Sequence, residues 1–531
     1  MRVLLVEPEY RKLSTEAKKR AKERKLNLKK KLSDEVLWYP PLGLMKLATF
    51  HKRRGDEFKF ISGCDKFLFE EPNLFSPGIL WDRVYISTLF TFEWGKTIET
   101  INFYKDAVGG SVGKIFVGGI MASLMPDEIE RETNVRPIEG IINSPQQIGL
   151  EGNENIDLLP PDYDILEDNY NNLYAINDTY YAYTTRGCTN HCQYCGVPTI
   201  EPSFIEYIDI KGMIRALRNE YGDKPKLKLM DNNVLASPKL EQIVEDLLDL
   251  GYGRGQYTNK NPKSLRVIDF NQGLDASCIN GTTMLLLSRL NIRPMRVAFD
   301  HVKEKKAYER ALKIAKEYGV KEFSNYLLYN WKDTPRDLYD RLVINIKLNE
   351  KWGRGSKNSS AVIYSYPMRF APIKSVNAGE SNQIRDYIPE SPKKKQNLIK
   401  SAKWTKRFTR NVEIMKGAAH GAISPTPELA WRTIGETYEE FIANLYMPEE
   451  LLRNRNKHEK RVWRHEPKRP PGTGKVEKFR KFILRLLKSK TEEAIEFHNA
   501  VSPNTIKAIR DYLYKCKNKE VKEWLELYWR N

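Results

Sequence analysis

Three cysteines, Cys188, Cys192 and Cys195, fall within eight positions in 183-YTTRGCTNHCQYCGVPTIEP-202, in a chain that has only six. Cys64, Cys278 and Cys516 stand singly, as small buried hydrophobes usually do. A structural zinc site takes four ligands, most often as two spaced pairs, and no second pair follows this triplet. His191 lies between two of the cysteines, where its side chain is poorly placed to complete a tetrahedron. A cubane of four irons, in contrast, can be held by three thiolates, which leaves one iron open to a further ligand. The triplet therefore points to an iron-sulfur centre, with a zinc site in a nucleic-acid-binding protein as the alternative.

Such a centre needs strands and helices that bring other polar groups to it. From Tyr181 onward, apolar runs recur as strand candidates: 181–186, 227–233, 266–273, 295–300, 324–330 and 361–367, separated by helix-like segments such as 303–319. Six β/α units in a row predict a barrel or partial barrel with its chemistry at the carboxyl ends of the strands. Polar residues gather at those ends: Arg186 with Cys188, Asp231 with Asn232 and Asn233, Asn271 with Gln272 and Asp275, Asp300, and Asn330. An earlier alternation, RVLLVEP, FKFISG, VYISTLFTF, KIFVGGI and EGIIN with helices over 43–55 and 94–108, predicts a doubly wound parallel sheet. The fold class expected is thus α/β: a Rossmann-like domain over 1–145, a linker over 146–178, a (β/α)6 partial TIM barrel over 179–372, a helical extension over 373–450 and a basic helical region over 451–531.

With the elements in place, C-x3-C-x2-C with Tyr194 before its last cysteine, just after a barrel strand, resembles the signature of radical S-adenosylmethionine (radical SAM) enzymes. The resemblance implies a 4Fe-4S cluster on Cys188, Cys192 and Cys195, whose open iron binds the amino and carboxylate groups of S-adenosylmethionine. It also implies an external electron donor such as flavodoxin or ferredoxin, and a 5'-deoxyadenosyl radical that abstracts hydrogen from a substrate. Where the family often has Gly-Gly-Glu after its second strand, this chain reads 230-MDNNVLASP-238, so Asp231 and Asn232 are the candidates to hold the methionine amino group. Gln272 and Asp275 are placed to meet the ribose, with Asn330 a further polar contact, and Tyr194 completes the S-adenosylmethionine set. Against this, Asp and Asn are also the residues preferred at turns and helix N-caps. No residue is assigned to hydrogen abstraction itself.

The N-terminal sheet resembles the cobalamin-binding domain fused ahead of the barrel in one group of these enzymes, on 40-PPLGLMKLA-48, Ser87 and Leu89 in a Ser-x-Leu, and the pair Gly118 and Gly119. Small residues there let a bulky nucleotide tail approach the backbone. The resemblance implies cobalamin-dependent methylation, yet the loop after the first strand, 7-EPEYRKLS-14, lacks the axial histidine of Asp-x-His-x-x-Gly. A cobalamin-free platform with radical modification of RNA or a peptide is the alternative. The methylthiotransferase branch needs a second cysteine triad, and the first domain has only Cys64.

Charge and length bear on partners and compartment. The chain has 531 residues and a formal net charge of +19, unevenly spread. In 11–35 basic residues outnumber acidic ones by eleven to four, and from Leu451 onward by 22 to 10. Arg461, Arg464, Lys468 and Arg469 are interleaved with Trp463 and His465, a mixture suited to phosphate contact and base stacking, so RNA or another polyanion is the expected partner. Runs of charge are also the ordinary make-up of solvated faces. No basic leader precedes MRVLLVEPEY and no apolar run approaches membrane-spanning length, so the chain is expected in the cytoplasm, with no membrane partner.

Overall fold

The computed structural model describes residues 1–10, 38–69, 78, 80–166, 174–260, 262–354, 359–370, 397–417, 419, 421–465 and 474–528, with 459–465 as helical backbone only. The described residues form two compact units, one of 1–272 with Arg289–Asn291 and one of Gly273–Ser288, 292–370 and 397–528.

The first unit opens with a four-stranded parallel sheet: β1 (Arg2–Glu7), β2 (Glu57–Ser62), β3 (Arg83–Thr88) and β4 (Ile115–Gly119), in the order β2-β1-β3-β4. Val3 to Val6 are fully buried because helices cover both faces, which is why β1 reads as a continuous apolar run. The Leu42–Arg53 helix buries Leu44, Met45, Leu47, Ala48 and Phe50. The strand order reverses between β1 and β3, the place at which open α/β sheets leave a crevice at their carboxyl edge. The fifth strand expected over EGIIN is not formed. Ile138 N–H donates to Val117 O at 2.8 Å, but Gly140 turns the chain at φ 77° and its N–H goes to Ser123 Oγ instead.

All six later strands are present, in two parallel sheets. In the first unit β5 (Thr179–Ala182), β6 (Lys226–Leu229) and β7 (Val267–Phe270) pair in sequence order, with the Lys211–Tyr221 and Leu240–Asp249 helices between them. In the second unit β8 (Met295–Arg296), β9 (Glu322–Tyr329) and β10 (Val362–Arg369) do the same, with the Lys305–Glu317 and Pro335–Lys351 helices. Leu274 bridges Val297 and extends that second sheet by one rung.

The second unit ends in helices. Within the helical extension expected over 373–450, the segment 427–446 forms two helices, Pro427–Ile434 and Tyr438–Tyr446, separated at Gly435. Gly435 has φ 102°, and a Cβ there would sit 2.7 Å from Glu440 Cβ. The basic helical region expected over 451–531 continues beyond the Glu449–His465 helix, among the described residues, as four helices: Lys475–Lys488, Glu492–Val501, Ile506–Lys515 and Lys519–Leu525. Several cations of this region are internal clamps rather than surface charge. Arg455 donates to the carbonyls of Thr433 and Arg432, and Arg480 donates to Asn444 Oδ1; both are buried. Arg461 and Arg464 fall on the Glu449–His465 helix with side chains outside the described residues. Lys468, Arg469 and the whole of the basic segment 11–35 also lie outside them. No described helix is long and apolar enough to cross a membrane.

Candidate functional site

Cys188, Cys192 and Cys195 form no disulfide and are half-buried, on the loop that follows β5 and its antiparallel extension at Arg186 and Ile205. The loop is shaped by backbone contacts before any ligand is considered. Gly187 turns at φ 73°, and a Cβ there would lie 2.4 Å from Ser203 O, so only glycine fits. Asn190 N–H points at Cys188 Sγ at 3.3 Å and Val197 N–H at Cys195 Sγ at 3.5 Å, while Cys195 N–H donates to Cys192 O at 3.0 Å. Amides aimed at sulfur are among the contacts that tune iron-sulfur centres.

Among the described residues no three His, Cys, Asp or Glu side chains converge as they would on a single metal ion. A cubane has no need of that convergence, since its thiolates bind different irons. The donor set present, three half-exposed thiols on one short loop with amides directed at two of them, fits a 4Fe-4S cluster.

The base of the loop is held by buried polar groups. Asp231, at the carboxyl end of β6, is buried, and its Oδ1 accepts from Thr184 N–H and Oγ1 at 2.8 Å each, and from Thr185 N–H and Oγ1. Burial pushes its carboxyl above the ordinary range although those hydrogen bonds pull the other way. Its Oδ2 and the nearby Asn233 Oδ1 are buried with no hydrogen-bond partner among the described residues. These are orphaned acceptors at the strand end that the sequence resemblance expects to hold the methionine ammonium, and their chemistry fits a cationic amino group there. Asn232 Nδ2 donates to Glu201 Oε2 at 2.9 Å. Glu201 also accepts from Gly187 N–H at 2.5 Å and pairs with Arg186 at 2.9 Å. Arg186 reaches Asp157 on its other side, and Asp157 pairs with Lys46 at 2.8 Å. Burial would raise the Asp157 carboxyl, but Lys46 and Arg186 beside it hold it below its ordinary value.

This network of Lys46, Asp157, Arg186 and Glu201 was missed in the sequence reading, and one signal for it was legible. Lys46 occupies the same helical stripe as Leu42, Met45 and Thr49, so a cation sits on the apolar face of its helix. Lys46 and Asp157 also form part of the wall of a cavity of about 370 Å3 whose other walls are largely apolar and aromatic, with Tyr181, Tyr183, Tyr207 and Ile205 among them.

The remaining expected site residues divide between the units. Tyr194 is half-buried on the cysteine loop and Gln272 is exposed just beyond β7, both in the first unit. Asp275 belongs to the second, where its carboxylate caps a turn, accepting from Ser277 N–H at 2.9 Å and Ser277 Oγ at 2.6 Å. Asn330, also in the second unit, immediately follows β9 in the left-handed region at φ 67°, with Lys332 at φ 46°. Left-handed non-glycine residues cost free energy and are common where a loop is shaped for a ligand.

In the N-terminal sheet, Ser87 pairs with Gly118 and Thr88 with Gly119 at the carboxyl ends of β3 and β4. Gly119 has φ 102°, and a Cβ there would lie 2.2 Å from Thr88 O, so sheet geometry accounts for that glycine. Leu89 N–H donates to Tyr10 Oη at 3.2 Å. Beside it the Glu7 carboxylate accepts from Tyr174 Oη, and Trp38 meets Phe90 edge to face at 6.0 Å. Tyr10, Tyr174, Trp38 and Phe90 thus meet residues at or just beyond the carboxyl ends of β1 and β3 or one another. All four positions are half-buried, and a Cβ added at Gly118 would lie 3.7 Å from Ile142 Cδ1. Two of the four features expected to face a cobalamin are therefore used by the protein itself, and the set does not by itself make a cradle for that cofactor.

No protein-family model matches the chain, and no curated protein matches it. Among solved structures it is similar to a radical S-adenosylmethionine methyltransferase, TsrM from Kitasatospora setae, with cobalamin and a [4Fe-4S] cluster bound, at 12% identity and a TM-score of 0.44, covering 65% of this chain and 70% of that one. It is also similar to HydG, a maturase of the [FeFe]-hydrogenase, at 13% identity and a TM-score of 0.30, covering 77% of this chain and 92% of that one.

Proposed function

We propose that this chain is a radical S-adenosylmethionine enzyme, with Cys188, Cys192 and Cys195 as the ligands of a 4Fe-4S cluster. The observation that carries the reading is the placement of three half-buried cysteines, none in a disulfide, at C-x3-C-x2-C on the loop leaving β5, the first of six parallel β/α units. The cluster and S-adenosylmethionine together supply reductive cleavage of the sulfonium C–S bond and, from it, a 5'-deoxyadenosyl radical for hydrogen abstraction.

The protein's own residues bind and orient. Gly187 and the amides of Asn190 and Val197 set the loop that presents the sulfurs. Asp231 Oδ2, with Asn232 beside it, offers the acceptor for the methionine ammonium, while Asp231 Oδ1 keeps Thr184 and Thr185 fixed under the loop. Gln272, Asp275 and Asn330 are assigned to polar contacts with the nucleoside, and Tyr194 to the same ligand. Electrons come from an external donor such as flavodoxin or ferredoxin.

Within this class we favour a reaction that proceeds without cobalamin. What supports that branch is the use of Leu89 N–H by Tyr10, the steric account of Gly119, and the absence of a histidine in 7-EPEYRKLS-14. Anaerobic reconstitution with hydroxocobalamin decides between the branches. The favoured branch predicts no corrinoid absorption after gel filtration and unchanged S-adenosylmethionine cleavage in Ser87→Trp. Stoichiometric corrinoid that Ser87→Trp abolishes would return the chain to the methylases.

A further inference from the structure

The charged side chains beneath the cysteine loop form one connected chain that the proposed reaction leaves unassigned. It starts at Lys46, on the helix that follows β1, and passes through Asp157 to Arg186 and Glu201. The four side chains keep only 8–12% of their exposure, so bulk water does little to screen them. Two cations face two carboxylates, and their charges cancel in place. Arg186 also lies over the Tyr183 ring, 3.4 Å from its centroid, which fixes the plane of the guanidinium.

Glu201 is where this chain meets the loop. One of its oxygens accepts from Arg186 Nη1, and the other from Gly187 N–H and Asn232 Nδ2. Gly187 immediately precedes Cys188, so the carboxylate binds the backbone one residue before the first cluster ligand. In a poorly screened site, an ion left without its partner acts on neighbouring charge far more strongly than it would in water.

We infer that Arg186 and Glu201 are positioning residues for the cluster: together they fix the backbone at Gly187 and hold the local charge at zero, so the reduction potential of the centre depends on keeping both. This inference rests on the iron-sulfur reading above. Reduction adds one negative charge to the cluster, so an uncompensated cation nearby favours the reduced form and an uncompensated anion disfavours it. A merely structural role would lower folding stability in either variant without giving shifts of opposite sign.

The test is redox titration of the anaerobically reconstituted full-length protein, followed by electron paramagnetic resonance of the reduced cluster. The wild-type protein is measured first; if it takes up no 4Fe-4S cluster, the functional reading fails and this inference falls with it. Given a wild-type cluster, Glu201→Gln is expected to raise the midpoint potential, because its amide oxygen still accepts from Gly187 while Arg186 loses its counter-charge. Arg186→Gln is expected to lower it, and the double variant to return towards the wild-type value. Shifts of the same sign in the two single variants, or no shift in either, would overturn the inference while leaving the iron-sulfur reading intact. Should Glu201→Gln not fold, Asp157→Asn serves instead, since it removes a carboxylate and keeps the bond from Gly187 to Glu201. That variant must also raise the potential, and an unchanged potential would overturn the inference.

Discussion

Glu7 closes β1 at the carboxyl edge of the N-terminal sheet, and its environment makes a pH dependence that can be measured. Burial raises its pKa from 4.5 to about 7, against hydrogen bonds from Tyr174 and Trp38 that lower it. A folded-state pKa above the unfolded one means that stability present below about pH 4.5 is lost as pH rises through about 7. Glu7→Gln, which carries no charge to bury, should therefore gain on the wild type as pH rises, by up to about 3 kcal/mol at pH 8, with the gap closing towards pH 4. Urea unfolding of the cluster-free protein at several pH values measures it; a gap that does not change with pH would show that Glu7 keeps its ordinary pKa. At this scale the cysteines were legible from number and spacing alone. Glu201 and Asp157 were not, because a carboxylate in a loop reads as solvated until its partners are known. Asp231 was legible as a polar group at a strand end, while the four hydrogen bonds that its Oδ1 receives depend on a fold that brings residue 231 beside 184 and 185.

The elements were legible where hydrophobic periodicity was strong. Ten of the eleven strands expected from alternating apolar runs are present, β9 and β10 within a few residues of their expected bounds. The failures have local causes: EGIIN has β-branched residues but also Gly140, whose positive φ and bond to Ser123 take the segment out of the ladder. The run over 428–446 keeps helical periodicity through Gly435, and only the close approach of Glu440 shows why the chain must break there. Gly187 is the glycine on which the site depends most. Gly187→Ala forces a left-handed alanine against Ser203 O, a cost of at least about 1–3 kcal/mol from the backbone conformation alone. The same substitution should displace Cys188 and lower iron uptake on reconstitution, whereas Gly212→Ala, at an open position of the Lys211–Tyr221 helix, should leave iron uptake unchanged. Equal iron content in both variants would mean that the Gly187 turn does not position the ligand.

Over the whole molecule, charge was the property that sequence described least well. A net charge of +19 suggests a basic surface, yet Arg186, Arg341, Arg455 and Arg480 are buried and bonded to carboxylates, carbonyls or a side-chain amide oxygen. The polyanion proposal therefore rests on sequence segments whose side chains lie outside the described residues. If RNA is the partner, binding should weaken steeply between about 50 and 200 mM salt, and replacing Arg461, Arg464, Lys468 and Arg469 together by Ala should flatten that dependence. Equally poor binding of tRNA and heparin by wild type and variant at low salt would direct the search to small molecules or peptides. The central claim concerns the three cysteines, and the most direct measurement follows S-adenosylmethionine cleavage by the anaerobically purified, reduced protein together with its iron content. The account predicts about four irons per chain and formation of 5'-deoxyadenosine, with both lost when Cys188, Cys192 or Cys195 is replaced by Ala. One zinc per chain, no iron and no 5'-deoxyadenosine from the wild-type protein would contradict it.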